Sequence, residues 1–341
     1  MDIEYLLFLQ NLRTLTGGLF DEMLSKITTF GESLMVMIVL CILYWCIENS
    51  FATFVMMTYS LNRLANGFLK ITFCVYRPWI RDARIQPLKG AMEKATGYSF
   101  PSGHTTNAMS VYGSPALWRK VSWFLRISLF LMVGLVGLSR NWLGVHTPQD
   151  VIVAIATCAV MALAVRFLTS LLEKHPTLDI WFALIGIAVS IALIAYAALK
   201  SYPIDYDASG KVLVDPAKMA QDSYKNAGIG LGFFIGWIIE RRFVGFSCEG
   251  TIQQRMGRAV IGIIGLFFVL YPVTAGLDLV VPSPARHVVT RAVQMIYVVL
   301  IAPWLFKLFE RQGSELPAAN VVVEVPVANE AKAQGRHFRT A

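Results

Sequence analysis

Two histidines stand in polar segments between apolar stretches, and each has neighbours that could support catalysis. His104 ends a Pro-Ser-Gly-His run, in which Ser102 offers a hydroxyl and Gly103 an accessible backbone amide. Glycine lets the backbone approach a ligand closely, and amides at the start of a helix bind anions. An imidazole with a pKa of about 6.5 is a candidate general acid. Taken alone, the run also fits a turn followed by an ordinary polar histidine.

The second histidine comes just before the signals for the start of a helix. His146 is followed by Thr147, Pro148 and Asp150, an order typical of an N-cap, a first helical position and an acidic first turn. This geometry predicts the Asp150 carboxylate close to the His146 ring. A carboxylate on one ring nitrogen fixes the tautomer and leaves the other nitrogen free as a nucleophile. An interfacial histidine beside a helix cap is the alternative.

Three basic residues are spaced so that they could meet one anion. Lys70 and Arg77 are seven residues apart, which places them on one stripe of a helix that Pro78 would end. Arg140 lies six residues before His146. An ammonium group and two planar guanidinium groups suit a tetrahedral oxyanion. Basic side chains near helix ends also extend to lipid headgroups, and this alternative stays open for each residue alone.

Together the three clusters resemble the type 2 phosphatidic acid phosphatase (PAP2) superfamily. The superfamily motifs KxxxxxxRP, PSGH and SRxxxxxHxxxD match Lys70–Pro78, Pro101–His104 and Ser139–Asp150 without a substitution. The motifs cover residues 70–150, and the surrounding apolar segments extend the resemblance to about 20–200. Agreement at so many fixed positions is highly specific.

The resemblance implies a role for each matching residue. His146 would attack phosphorus and become a phosphohistidine, with Asp150 orienting its ring. His104 would protonate the leaving alkoxide and then activate the water that hydrolyses the intermediate. The phosphoryl oxygens would be bound by Lys70, Arg77, Ser102, Gly103 and Arg140. The family needs no metal and no other cofactor, and the sequence shows no carboxylate cluster typical of a magnesium site.

The elements that must position these residues are membrane helices. Of 341 residues, 56% are hydrophobic and 15% are charged, whereas soluble domains carry about 25% charged residues. Because about 20 apolar residues span a bilayer, the chain is expected to be an all-α polytopic bundle of about nine spans. The resemblance implies a PAP2-type core of six helices within it. The expected spans are Leu34–Ile47, Phe51–Phe73, Thr105–Trp118, Leu125–Leu138, Val151–Leu172, Ile180–Leu199, Ile229–Ile239, Val260–Val281 and Val288–Phe309.

These spans divide the chain into four expected segments. An amphipathic N-terminal segment covers 1–30, and the catalytic membrane core covers 31–200. Additional transmembrane helices follow over 201–312, and a flexible tail covers 313–341. In the third segment, Asp278 is expected to pair with Arg286 and Arg291, while Tyr224 and Asn226 are candidates to line a substrate entrance. None of these five residues belongs to the three motifs.

Basic residues in short loops predict the orientation, since they favour the cytoplasmic side. With an outside N-terminus, the inside loops hold Arg119, Lys120, Lys174, Arg241, Arg242, Arg255 and Arg258, and the C-terminal side adds Lys307 and Arg311. The loop after the second span carries an excess of positive charge on the outer side, in Arg77, Arg81, Arg84, Lys89 and Lys94. An anionic substrate gives a reason for this excess. The expected location is the plasma (inner) membrane, with the site facing the outer, periplasmic or luminal side.

The expected function is metal-independent hydrolysis of a lipid phosphate monoester or diphosphate. Substrates of the phosphatidate, sphingoid phosphate or polyprenyl diphosphate type fit the resemblance. The alternatives are a glucose-6-phosphatase-like enzyme acting on a soluble sugar phosphate and a lipid phosphotransferase with the same site. A non-catalytic lipid transporter is least favoured, since a transport pathway needs neither the His146–Asp150 pair nor the PSGH run.

The expected partners are the bilayer and the lipid phosphate. The net charge of +8 does not point to nucleic acid, because orientation and the anion site account for the basic residues. Assembly into a homo-oligomer is left open.

Overall fold

The computed structural model describes residues 2–118, 120–207 and 209–315, with side chains as far as residue 310. The expectations for Arg119 and for the side chain of Arg311 therefore lie outside the described part. The expected tail over 313–341 begins inside the last helix, which extends to Glu315. The remaining residues of that tail, 316–341, are also outside the described residues.

Helices account for the regular structure of the described residues, beside one isolated antiparallel bridge between Tyr206 and Val212. The all-α prediction is confirmed. The helices are α1 (Asp2–Leu15), α2 (Asp21–Thr29), α3 (Ser33–Cys46), α4 (Asn49–Phe73), α5 (Pro78–Arg81), α6 (Gly103–Ala108), α7 (Ser114–Ala116), α8 (Trp123–Trp142), α9 (Pro148–Lys174), α10 (Asp179–Leu199), α11 (Pro216–Ile239), α12 (Ile252–Phe268), α13 (Thr274–Val280), α14 (Ala285–Ile296) and α15 (Ala302–Glu315).

Short π-helical segments join several of these helices into longer rods. Met109–Gly113 connects α6 to α7, Val269–Val273 connects α12 to α13, and Tyr297–Ile301 connects α14 to α15. A further π-helical segment, Glu240–Val244, extends α11, and the 3₁₀ turn Pro176–Leu178 precedes α10. Because the rods are long, a functional residue near one end of a rod lies far from the loop at its other end.

The structure supports fewer spans than the expected nine. Among the residues that the structure describes, five helical stretches are long and apolar enough to cross a membrane: Trp123–Trp142, Pro148–Lys174, Pro176–Leu199, Ile252–Val280 and Ala285–Glu310. A sixth is gained if α2 and α3, which meet at a bend of 46°, count as one broken span. Each expected span overlaps a described helix, but the count of nine is not confirmed. For α4 and α11 the physical reason is polarity, because they carry the buried polar side chains of the bundle interior. For Leu34–Ile47 and Thr105–Trp118 the reason is length, since α3 has 14 residues and α6 has 6.

The outside of the bundle is apolar, as a lipid-facing surface requires. Large hydrophobic side chains on the spanning helices stay exposed, among them Phe167, Trp181 and Ile264 at 67%, 64% and 65%. Polar side chains such as Asn62 and Asn66 of α4 are instead buried. This distribution reverses that of a soluble protein and follows from the bilayer replacing water as solvent.

A row of glycines brings α11 and α14 into close contact. Gly228 and Gly232 are one helical turn apart, and a Cβ on either would collide with the backbone of α14, at the carbonyls of Val288 and Ala292 respectively. Small residues at such spacing let membrane helices approach closely. The contact fixes Arg291 of α14 beside α11, because the Arg291 Cβ would lie 3.0 Å from a Cβ on Gly228.

The helices run back and forth, so that the loops collect at two ends of the bundle. We call the end with residues 74–103 and 143–147 the site end, and the end with 117–118, 120–122, 174–179 and 240–251 the far end. The N-terminal helices lie at the site end, where Arg13 Nη2 donates to the Gln86 carbonyl over 2.8 Å. All three motif clusters meet at the site end.

Candidate active site

The His146–Asp150 pair forms as the spacing predicts, at the start of α9. Thr147 is the N-cap: its hydroxyl accepts from the Asp150 amide, while Asp150 Oδ2 accepts from the Thr147 amide over 2.8 Å. This reciprocal capping box holds the carboxylate beside the preceding residue. His146 Nδ1 is 3.2 Å from Asp150 Oδ2, and both residues are buried.

Asp150 is also bound to the PSGH segment, which sequence reasoning did not predict. The Ser99 hydroxyl donates to Asp150 Oδ2 over 2.6 Å, and the Ser102 amide donates to the Asp150 carbonyl over 3.0 Å. Ser99 lies just before the PSGH run and has no periodic or capping pattern that would single it out. These bonds fix the PSGH segment against the start of α9.

The other ring nitrogen of His146 faces Arg77, which, contrary to the expectation, does not share a helix with Lys70. The helix α4 ends at Phe73, and Pro78 begins α5 instead of ending α4. Arg77 Nη1 is 2.9 Å from His146 Nε2. A guanidinium can only donate, so Nε2 accepts and the ring proton is on Nδ1, towards Asp150. Burial lowers the pKa of His146 well below its ordinary value, and the Arg77 charge lowers it further against the opposing effect of Asp150. The ring is therefore neutral, with its Nε2 lone pair available.

The three basic motif residues are buried and are held by neutral acceptors. Lys70 donates to the Tyr98 carbonyl, Arg77 donates to the Gly97 and Val145 carbonyls over 3.0 Å, and Arg140 donates to the Thr28 hydroxyl over 2.9 Å. Their exposed fractions are 3%, 4% and 2%. Within the described residues none of the three is paired with a carboxylate. Three uncompensated buried cations are costly, which indicates a site for an anion.

The PSGH residues divide between the cavity and the wall behind it. Gly103 and His104 line the cavity. Ser102 is fully buried, and its hydroxyl caps α6 by accepting from the Thr105 amide over 3.4 Å. The same hydroxyl accepts from the Thr105 hydroxyl over 3.0 Å. Its predicted contact with phosphate stays a prediction, since this hydroxyl serves the helix start in the structure. Gly31 packs on His104: a Cβ there would come within 2.9 Å of the His104 carbonyl.

These residues surround one cavity of about 250 Å³ at the site end. The sequence-predicted residues that line it are Lys70, Arg77, Gly103, His104, Arg140 and His146. Asp150 and Ser102 stand behind this lining. In the part of the chain that the structure describes, no three His, Cys, Asp or Glu side chains are grouped so that they could hold a metal ion.

Four further charged residues line the same cavity and were not assigned to the site from the sequence. They are Arg63, Asp222, Lys225 and Arg291. Arg63 had a usable signal, because it precedes Lys70 by seven residues and so lies on the same stripe of α4. The others are more than 70 residues beyond the motifs, and no local pattern connects them to the site.

Two expectations outside the motifs are corrected or refined. Tyr224 and Asn226 are buried and do not line the cavity; the residue between them, Lys225, does, because it lies on a different side of α11. Asp278 pairs with Arg286 over 3.3 Å as predicted. Arg291, the other expected partner of Asp278, faces the cavity instead.

The basic loop after α4 also has a second explanation. Arg81 pairs with Asp2 over 2.7 Å, and Arg84 pairs with Asp82 and with Glu4 over 2.8 and 3.1 Å. The N-terminal helix therefore neutralises part of the excess that was assigned to an anionic substrate. Lys94 pairs with Glu32 over 3.1 Å and also lines the cavity.

The fold and the site define a class: a helical membrane protein with a histidine–carboxylate pair beside a cationic cavity. The family model of the PAP2 superfamily matches residues 50–174. A second model, described as the transmembrane extension of PAP2 superfamily phosphatases, matches residues 224–314. The chain belongs to the PAP2 superfamily.

Individual relatives match over a short segment. Phosphatidylglycerophosphatase B of Escherichia coli (strain K12) and that of Shigella flexneri are each 40% identical to this chain over 72 residues. That segment is 20% of this chain and 28% of each relative. The chain is thus matched to less than a third of the length of these relatives. No solved structure matches the chain.

Proposed function

We propose that this protein is a metal-independent membrane phosphatase that hydrolyses a lipid phosphate monoester or diphosphate through a phosphohistidine at His146. One observation carries the proposal: His146 is held between Asp150 at Nδ1 and Arg77 at Nε2. It lies beside a cavity lined by the buried cations Lys70, Arg77 and Arg140, which are not paired with a carboxylate within the described residues. This arrangement provides a neutral nucleophile together with charge for a phosphoryl group.

In the first step, the Nε2 lone pair of His146 attacks phosphorus. The N–P bond forms while the bond from phosphorus to the lipid oxygen breaks, and protonated His104 delivers its proton to that oxygen. Asp150 accepts the hydrogen bond from Nδ1 and stabilises the positive charge that develops on the ring. Lys70, Arg77 and Arg140 stabilise the charge on the transferring group, and such electrostatic groups dominate phosphoryl transfer.

In the second step, His104 is neutral and acts as the base. It accepts a proton from a water molecule, whose oxygen attacks the phosphorus of the phosphohistidine. The N–P bond breaks, its electron pair returns to Nε2, and inorganic phosphate leaves. His146 is again neutral and His104 is again protonated, so the cycle closes without a metal or another cofactor.

A lipid substrate is supported by the size of the cavity and by the relatives. About 250 Å³ holds a phosphate-bearing headgroup but no acyl chains, and complete small ligands occupy pockets of about 300–1,000 Å³. The acyl chains would therefore stay in the bilayer. The name of the relative phosphatidylglycerophosphatase B points to a phospholipid phosphate. With the site end on the outer face, the substrate would come from that leaflet of the plasma (inner) membrane.

The test is phosphate release by purified protein in detergent micelles. Phosphatidate, a sphingoid phosphate, a polyprenyl diphosphate and glucose 6-phosphate serve as alternative substrates, with and without EDTA. We expect hydrolysis of a lipid substrate that persists in EDTA and is inhibited by vanadate. His146→Ala should lower activity by at least about 10³-fold, since removal of a nucleophile leaves only binding and charge effects.

His175→Ala is the matched control, because His175 is exposed at the far end. Equal activity of the two variants would refute the nucleophile, and a strict need for added magnesium would refute the mechanism. Faster turnover of glucose 6-phosphate than of every lipid would show that the substrate is a soluble sugar phosphate and not a lipid phosphate. Phosphate found on an added alcohol, with little released to water, would indicate a transferase.

A further inference from the structure

The cavity continues past the catalytic residues to a second group of cations. Arg63 comes from α4, Lys225 from α11 and Arg291 from α14. Lys225 and Arg291 belong to the stretch 224–314 that matches the transmembrane extension. The segment expected only to add spans thus contributes charged side chains to the cavity.

These three residues border the catalytic part of the cavity. Arg63 precedes Lys70 by seven residues on α4, which is about 10 Å along a helix axis, towards the middle of the bundle. Arg63 Nη1 is 3.8 Å from where a Cβ on Gly103 would be, so its guanidinium still faces the site. The close contact of α11 with α14 at Gly228 brings Arg291 to the same part of the cavity.

The charges of this group are poorly compensated within the protein. Arg63 Nη1 donates to the Asn107 amide oxygen over 3.1 Å, and Arg291 Nη1 donates to the Gln294 amide oxygen over 2.8 Å. Arg63 Nε is buried without a hydrogen-bond partner in the described part of the chain. Lys225 alone has a carboxylate, Asp222, at 3.6 Å.

The whole cavity therefore has more positive charge than one phosphate can balance. Counting the described residues, its lining includes seven Lys or Arg side chains and one carboxylate, that of Asp222. Lys94 is paired with Glu32 and Lys225 with Asp222, so five of these cations have no carboxylate partner among the described side chains. A phosphate monoester carries about −1.5 to −2 charges at pH 7. Unpaired cations in a low-dielectric site are strongly unfavourable, so the remaining charge indicates a second anionic group.

We propose that Arg63, Lys225 and Arg291 form a second anion subsite, which binds a non-transferred phosphate of a lipid that carries two phosphates. This inference rests on the proposed function and names its substrate class. The Arg63 guanidinium faces Gly103, so the subsite borders the place of the transferred phosphate.

The test compares two lipids with identical acyl chains, phosphatidate with one phosphate and phosphatidylglycerol phosphate with two. Arg291→Gln should raise KM for the two-phosphate lipid by about tenfold or more, with kcat nearly unchanged, and should change KM for phosphatidate less than twofold. The tenfold figure corresponds to the loss of one charge-assisted contact. Arg286→Gln is the matched control, because Arg286 is on the same helix but pairs with Asp278 outside the cavity.

Arg63→Gln gives an independent second variant and should show the same selectivity, even if Arg291→Gln folds poorly. Equal losses on both lipids, or no loss on either, would overturn the subsite.

The failure of the subsite can be separated from the failure of the phosphatase proposal. If the wild type hydrolyses neither lipid, the proposed function fails. Equilibrium binding of the two lipids to His146→Ala protein, with and without Arg291→Gln, then tests the subsite directly. Selective weakening of the two-phosphate lipid supports it, and unchanged or equally weakened binding of both lipids overturns it.

Discussion

At the site end the basic motif residues converge on one cavity and are held by neutral acceptors, whereas three arginines at the far end are paired with carboxylates. Arg241 binds Asp179 over 2.9 Å, and Arg242 binds the same carboxylate. Arg258 binds Glu310 over 2.7 Å. At the site end Arg77 and Arg140 donate to carbonyls and a hydroxyl instead.

The difference shows that similar residue types serve opposite purposes at the two ends. A carboxylate partner neutralises a cation and makes it structural, since the pair satisfies itself. A neutral acceptor orients a cation but leaves its charge for a ligand. The partner of a basic residue, more than its position near a membrane surface, therefore indicates which residues belong to the site.

The largest expected effect comes from exchanging one arginine at each end for glutamine. Arg77→Gln should lower kcat/KM for the best lipid substrate by about 10²–10³-fold, the usual loss when one transition-state donor is removed. Arg241→Gln should stay within about twofold, because Arg241 contacts Asp179 and not the cavity. Steady-state kinetics on both variants measure the contrast. Comparable losses at the two ends would show that the division of roles is wrong.

A smaller effect is expected on stability, with the order of the two ends reversed. Asp179→Asn should lower the free energy of unfolding by about 1–3 kcal/mol, because it leaves two neighbouring arginines without their shared carboxylate. Arg140→Met should cost less or even stabilise, since it removes an unpaired buried cation. Denaturant unfolding in micelles compares the two variants.

Measuring the activity of the same two variants completes this prediction. The Asp179→Asn protein that remains folded should keep its kcat, whereas Arg140→Met should lose activity. A larger loss of stability in Arg140→Met than in Asp179→Asn would mean that the unpaired buried cation Arg140 does not lower the free energy of unfolding.

The smallest effect is a shift in the pH profile. The pKa of His146 is lowered, so its neutral, nucleophilic form should persist as the pH falls through 6.5, and activity should drop only well below that value. Arg77 contributes to the lowering, so Arg77→Gln should move the acid limb of kcat/KM to higher pH. The substrate titrates equally in both proteins and cancels in the comparison. An acid limb that moves to lower pH would contradict the assigned interaction.

Much of the catalytic cluster could be predicted from local sequence. Thr147, Pro148 and Asp150 carry their own capping signals, and the capping box forms as expected. Arg63 could have been found from its spacing to Lys70 on α4. Arg291 could not, because its place depends on the close contact of α11 and α14, and a contact between distant helices leaves no mark on the local pattern.

The number of membrane spans was predicted less well than the catalytic cluster. Hydropathy indicates lipid-facing helices well, and all five apolar stretches were predicted. It is weaker for α4 and α11, whose polar side chains are satisfied inside the bundle. Composition alone cannot distinguish such an interior helix from an amphipathic one.

The sequence by itself determined the membrane class, the helices and the motif residues, because hydropathy, capping and short-range spacing are local properties. Only the tertiary structure decided which cations stay unpaired. Arg81 and Arg84 find carboxylates from the N-terminal region, while Arg291 turns into the cavity. Whether a charge is neutralised depends on which side chains folding brings within a few ångströms of it, and that is a property of the packed bundle.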